Sequence, residues 1–195
     1  MRSRDHTVHH LNNSRSQRVL WLLEELELPY EIRCYERDAK TMLAPPSLRE
    51  VHPLGKSPVV SDGGLTLAES GAIIEYLVER HGGGQFAPAP GTPARLRYTY
   101  WLHYAEGSAM PLLLKLVFDR IESGPMPFFV KPIARVIVIW TTWNRSLRSS
   151  AGSRAMKRAG LGASRPRLMD FLARIHARPA YQRALERGGK YDLLG

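Results

Sequence analysis

Cysteine is nearly absent from this chain. Cys34 stands alone, which excludes an internal disulfide and fits a reducing compartment. No His or Cys spacing of the metal-binding kind appears, so no bound metal is expected. Long apolar runs are missing too. Residues 136–143 are apolar, but Lys131, Pro132 and Arg135 interrupt the approach to them, and the run is too short to span a bilayer. The first residues, Met1 to His6, are polar and charged with no apolar run behind them, so no secretory signal is expected. These absences point to a soluble, cytoplasmic chain with no membrane partner. Acidic residues are also scarce, 18 against 28 basic ones, for a net charge of +10. That balance raises nucleic acid as a partner. The distribution argues against it. Much of the excess lies in residues 144–158, where Arg145, Arg148, Arg154, Lys157 and Arg158 have no aromatic neighbour to stack on a base. No nucleic-acid partner is expected.

The 195 residues make one compact unit or two small ones, and an apolar fraction of 44% supports a packed core. One stretch organises the rest. Gly55-Lys56-Ser57-Pro58-Val59-Val60 reads as a turn running into a short β-branched strand. Asp62-Gly63-Gly64 is a hairpin signal. After it, Glu69 and Ser70 open an amphipathic helix whose apolar stripe is Ile73, Ile74, Leu77 and Val78. The strand is expected to offer free backbone groups at its edge. The helix start offers unpaired N–H groups and the Ser70 hydroxyl, a setting that favours a carboxylate. Together they form a device for holding a short peptide-like ligand.

Upstream, Thr7 to Leu11 reads as a first strand and residues 12–16 as a turn rich in capping residues. From Gln17 the spacing is helical, with Val19, Leu22, Leu23 and Leu26 on one face and Arg18, Glu24, Glu25 and Glu27 mostly outside it. Pro29 ends that helix. Tyr30 to Tyr35 alternates as a second strand, and residues 36–51 hold one short helix and loops. The order β-α-β-α-β-β-α predicts a thioredoxin-like α/β domain.

In order and spacing, these elements resemble the glutathione S-transferase family, and the motif Asn12-Asn13-Ser14-Arg15-Ser16-Gln17-Arg18-Val19 resembles its bacterial and fungal Gtt-like members. The resemblance implies a thioredoxin-like N-terminal domain followed by an all-α domain. It places Pro58 in a cis turn, pairs Val59 with the tripeptide backbone, and gives Glu69 and Ser70 the γ-glutamyl end of glutathione. Lys56 and Ser57 belong to the same turn, and Lys56 would meet the glycine carboxylate. The turn after strand one would supply the group that touches the sulfur. A thiol with a pKa near about 8.5 is mostly protonated at neutral pH, and a donor at a helix start favours the thiolate. Ser14 is the first candidate and Asn13 the second. Arg15 and Arg18 would attract the anionic tripeptide. His52 stands before Pro53 where the family pattern has Asn.

Gly82-Gly83-Gly84, then Pro88, Pro90 and Pro93, mark a linker. The expected division is a glutathione-binding domain at 1–83, a linker at 84–92 and an all-helical domain at 93–195. Thr92 or Pro93 starts a long helix with the aromatic residues Tyr100, Trp101 and Tyr104, and Pro111 is placed to kink it. Tyr104 is the candidate for a pocket that takes the electrophile. Glu106 would, by the resemblance, reach across a dimer. The family pattern breaks at about 136–158, where no Ser/Thr-x-x-Asp box is present, and by the resemblance a helix is missing there. The helical domain is therefore expected to be shortened. The resemblance implies a homodimeric detoxification enzyme that conjugates glutathione, as co-substrate with no bound cofactor, to a small electrophile. Two alternatives stand beside it: a glutathione-dependent disulfide or peroxide reductase, and a non-enzymatic binding protein or inactive remnant.

Overall fold

In the computed structural model, residues 6–41, 43–109 and 166–189 are described. The order is β1 (His6–Leu11), α1 (Ser16–Glu25), β2 (Tyr30–Tyr35), α2 (Ser47–Val51), β3 (Val59–Asp62), β4 (Leu65–Ala68), α3 (Ser70–His81) and α4 (Pro93–Tyr104). A wider helical turn, Ala105–Ala109, extends α4, and α5 (Pro166–His176) and α6 (Pro179–Gly188) close the described chain. The sheet runs β2-β1-β3-β4. β1 and β2 are parallel, joined through α1, and the β1–β3 and β3–β4 pairs are antiparallel. Gly63 and Gly64 close the β3–β4 hairpin at φ 53° and 90°, where side chains are disfavoured. This is the thioredoxin-like arrangement, followed by helices.

Strand period decides which residues go to which layer. Val8 and Val60 point to one face, where Val19, Leu20 and Leu23 of α1 meet Ile73 and Leu77 of α3. Leu11 and Tyr35, of opposite parity to Val8 and Tyr30, point to the other face and pack on Leu48 of α2. The sheet is thus covered on both sides.

The apolar face of α1 is wider than its spacing predicts. Leu20 is fully buried, while Leu22 is only partly so. The reason is α6, which lies along α1 and inserts Ala184 into the main core. At its end, a Cβ on Gly188 would stand 2.8 Å from Leu20 Cδ1, so only glycine lets the helices approach this closely. The same contact covers Glu24, which lies outside the apolar face of α1. Glu24 is buried and accepts hydrogen bonds from Tyr30 Oη at 2.7 Å, Arg183 Nε at 2.7 Å and Arg187 Nη1 at 3.0 Å. Arg178 Nε pairs with Glu25 at 2.5 Å beside them. Desolvation pushes the Glu24 carboxyl up, but the hydrogen bonds from Arg183, Tyr30 and Arg187 outweigh it and hold the group below its ordinary value.

α4 begins where expected. Thr92 Oγ1 accepts from Arg95 N at 3.2 Å, and Pro93 takes the first helical position. Two contacts tie it to the first half: Arg95 Nη2 to Glu79 at 2.5 Å, and Glu106 to Arg15 and Arg18. Tyr100, Trp101 and Tyr104 stack on one another and are exposed. Pro111 and the irregular stretch at 136–158 lie outside the described residues. Among the described residues no helix is long and apolar enough to cross a membrane.

Two outcomes test this packing. Leu20→Ala should lower unfolding stability by about 2–5 kcal/mol, read from urea denaturation, because a fully buried leucine leaves a cavity. Glu24 contributes stability above its ordinary pKa of 4.5 and loses it as pH falls through the lower folded value. The stability of Glu24→Gln should therefore fall less steeply than that of the unmodified chain between about pH 5 and pH 3.

Candidate functional site

Three segments meet at the end of the sheet where β1 finishes: the turn 12–15, the turn 52–58 and the start of α3. Lys56, Ser57 and Pro58 form one wall of a cleft. Ala68, Glu69 and Ser70 form the facing wall. Arg15, His52 and Leu54 complete it. The Ser57-Pro58 bond is cis.

The start of α3 carries two unusual features. Glu69 has φ 73° and ψ 124°, outside the conformations an L-residue prefers. The Ser70 hydroxyl is buried, its residue 1% exposed, and has no hydrogen-bond partner among the described residues. A hydroxyl at a helix N-terminus can both accept and donate. Two basic side chains (Arg15, Lys56), the His52 ring and the Glu69 carboxylate suit a ligand carrying both signs of charge.

Val59 lies outside the cleft lining, and β3 has no open edge. Val59 is in register with His9 on one side and Ala68 on the other. The expectation of free strand edge after Pro58 is therefore corrected, because the hairpin partner β4 and the first strand β1 flank β3. The peptide-like surface in the cleft belongs to residues 56–58 instead.

Ser14 sits behind this wall, 2% exposed, with its Oγ 3.3 Å from Ser57 Oγ and 2.6 Å from Ser16 Oγ. Ser57 donates to the His9 carbonyl at 2.9 Å and accepts Leu11 N–H at 3.2 Å. Ser16 Oγ lies 2.9 Å from His10 Nδ1. Burial lowers the His10 pKa, partly offset by a hydrogen bond to the Gly188 backbone at the end of α6. A neutral His10 bonded to Gly188 through Nε2–H leaves Nδ1 as an acceptor. Ser16 then donates to His10, and Ser14, which accepts the Ser16 backbone N–H at 3.2 Å, has its own proton for Ser16 Oγ or Ser57 Oγ. Turning that proton toward a ligand costs one hydrogen bond and leaves the Ser16–His10 link in place.

Asn13 occupies the left-handed region at φ 50° and is half-buried. Arg15 lines the cleft and is also paired with Glu106; Arg18 shares that carboxylate and does not line the cleft. Glu106 thus bridges the second half of the chain to α1. Tyr104, the candidate for an electrophile pocket, stacks on Tyr100 with ring centroids 5.8 Å apart, apart from the cleft lining. Sequence reasoning missed the His10–Ser16 link, although the period of β1 already puts His10 on the same face as Val8, toward α1.

Residues 14–80 match the family model described as the glutathione S-transferase N-terminal domain. Glutathione S-transferase 3 of Schizosaccharomyces pombe is 43% identical over 133 residues, covering 67% of this chain and 53% of its own length. Glutathione S-transferase 1 of Saccharomyces cerevisiae is 36% identical over 137 residues, covering 67% of this chain and 58% of its own length. The chain thus spans somewhat more than half the length of these curated relatives. The crystal structure of a glutathione S-transferase from Actinobacillus pleuropneumoniae superimposes with a TM-score of 0.70 at 32% identity, covering 97% of this chain and 95% of that one. Cleft, sheet order and similarity agree, and the chain belongs to the glutathione S-transferase family.

Proposed function

We propose that this chain binds glutathione in the cleft between residues 56–58 and the start of α3, favours its thiolate, and conjugates it to a small electrophile. The observation that carries this reading is the buried Ser70 hydroxyl beside Glu69, which has no hydrogen-bond partner among the described residues. The γ-glutamyl carboxylate would take the Ser70 hydroxyl and the free N–H groups of α3, and Glu69 would meet the α-amino group. The backbone of residues 56–58 would run beside the cysteinyl unit, with Lys56 near the glycine carboxylate. Arg15 adds positive charge at the rim, while Arg18 acts through the shared Glu106. No bound cofactor takes part. The homodimer, the cytoplasmic setting, the division at residues 83 and 93, and Tyr104 in the electrophile pocket belong to the same reading.

For the sulfur, Ser14 stands first and Asn13 second. Ser14 Oγ lies 3.3 Å from Ser57 Oγ at the cleft wall, and Asn13 sits in the adjoining turn at φ 50°. A hydrogen bond to a charged group contributes about 1.5–3 kcal/mol, so removing the donor, by Ser14→Ala first and Asn13→Ala second, should lower kcat/KM about 10- to 100-fold. It should also raise the pKa of bound glutathione, followed by thiolate absorbance. Ser14→Ala should affect stability as well as rate. Full activity in both variants would remove the turn from the mechanism.

Ser70→Ala separates ligand binding from folding. Deleting a buried hydroxyl with no partner should leave stability unchanged or raise it by up to about 1 kcal/mol, while glutathione affinity falls about tenfold or more. In the unmodified chain, millimolar glutathione should raise the unfolding midpoint by mass action. A cooperative transition that glutathione does not move would leave a scaffold role. Parallel assays with a chlorodinitrobenzene-type electrophile and 2-hydroxyethyl disulfide distinguish conjugation from reduction.

A further inference from the structure

At the opposite end of the sheet from the cleft, His6 opens β1, Asp62 ends β3 and His81 ends α3. Their donor atoms converge. His6 Nε2 lies 3.2 Å from His81 Nε2 and 3.4 Å from Asp62 Oδ2, and His81 Nε2 lies 3.6 Å from the same oxygen. We propose that His6, Asp62 and His81 form a structural site for one divalent transition-metal cation, with zinc the best fit to the donors.

The first argument is geometric. Zinc–nitrogen and zinc–oxygen bonds of about 2.0–2.2 Å in a tetrahedron put neighbouring donors about 3.3–3.6 Å apart. The three separations match that edge. The second argument is the direction of the rings. His6 Nδ1 lies 3.3 Å from the Pro29 carbonyl, which only accepts, so His6 presents Nε2 to the cluster, where Asp62 Oδ2 and His81 Nε2 also converge. A single cation serves all three groups at once. The outer contacts are those of a ligand set: the Pro29 carbonyl fixes the His6 tautomer, and Tyr76 Oη donates to Asp62 Oδ2 at 2.7 Å. The third argument is access. His6 and Asp62 are buried, but the His81 side chain is 22% exposed, which leaves an entry and room for a water as fourth ligand.

The ligands come from a strand start, a strand end and a helix end, so no linear spacing announces them. A cation there ties α3 to the sheet at its C-terminal end. The other end of the same helix carries Ser70, about 17 Å away at 1.5 Å per residue.

The test uses the full chain without an affinity tag, stripped with a chelator. Zinc titration calorimetry should show saturable binding of one equivalent, and Co²⁺ should give the intense visible bands of a tetrahedral site. His81→Ala and Asp62→Asn should each weaken binding about tenfold or more and abolish the zinc-induced rise in unfolding midpoint. His81 is partly exposed, so His81→Ala decides the matter even where Asp62→Asn fails to fold. No saturable binding, weak octahedral Co²⁺ bands, or zinc affinity unchanged in folded His81→Ala would each overturn the proposal. None of these readouts depends on glutathione.

Discussion

β3 is four residues long and is paired along both sides, to β1 and to β4. That double pairing fixes everything chemically interesting in this half of the chain. The residue before the strand is Pro58, held in the cleft; the last residue is Asp62, held in the His6–His81 cluster. The hairpin to β4 then sets where α3 begins, because Ala68 is in register with Val59 and Glu69 follows at once. A one-residue slip in β3 would turn Val60 out of the core and Val59 into it, and would move Ser70 relative to Pro58. The burial of Val60 against Val8 and Ile73 is therefore also what positions the cleft.

A second constraint comes from far along the chain. α6 packs on α1 through Ala184 and Gly188, and it surrounds Glu24 with Arg183 and Arg187. Pairing with half-exposed arginines is a modest contribution by itself. Here it matters because a buried carboxylate without those donors would be strongly unfavourable. The same helix end supplies the Gly188 backbone to His10, and His10 orients the serine chain behind Ser57. Stability and site geometry thus share one interface.

The fold was legible wherever local pattern and local structure agree. The strands 30–35 and 59–62, the hairpin glycines, the Thr92-Pro93 helix start and the position where α3 begins all follow from period and turn chemistry; no side chain caps α3. Legibility failed where a distant element changed the environment. Nothing near Glu24 in sequence announces that Arg183 and Arg187 of α6 will cover it, and β3 reads as an edge until β1 and β4 flank it. His6, Asp62 and His81 come from three elements, and the Glu106 bridge to Arg15 and Arg18 crosses from one half of the chain to the other. Ser14 was legible as a hydroxyl at a helix start and the first candidate for the sulfur. Its burial and its contacts with Ser16 and Ser57 were not, since they depend on the distant turn before Pro58 and on His10.

The cleft holds two features that a chain selected for stability alone would shed. Glu69 adopts a backbone conformation that costs about 1–3 kcal/mol, and Ser70 buries a hydroxyl without a partner at a further cost of about 1–3 kcal/mol. Both lie in consecutive residues, at the first turn of a helix whose remaining buried side chains, Ile73, Leu77 and Val78, are well packed. Against a typical total of about 5–15 kcal/mol this is a substantial local deficit. A ligand that pairs with the Ser70 hydroxyl and the exposed helix N–H groups removes part of it on binding. The free energy withheld from folding at residues 69 and 70 is then available as affinity for such a ligand.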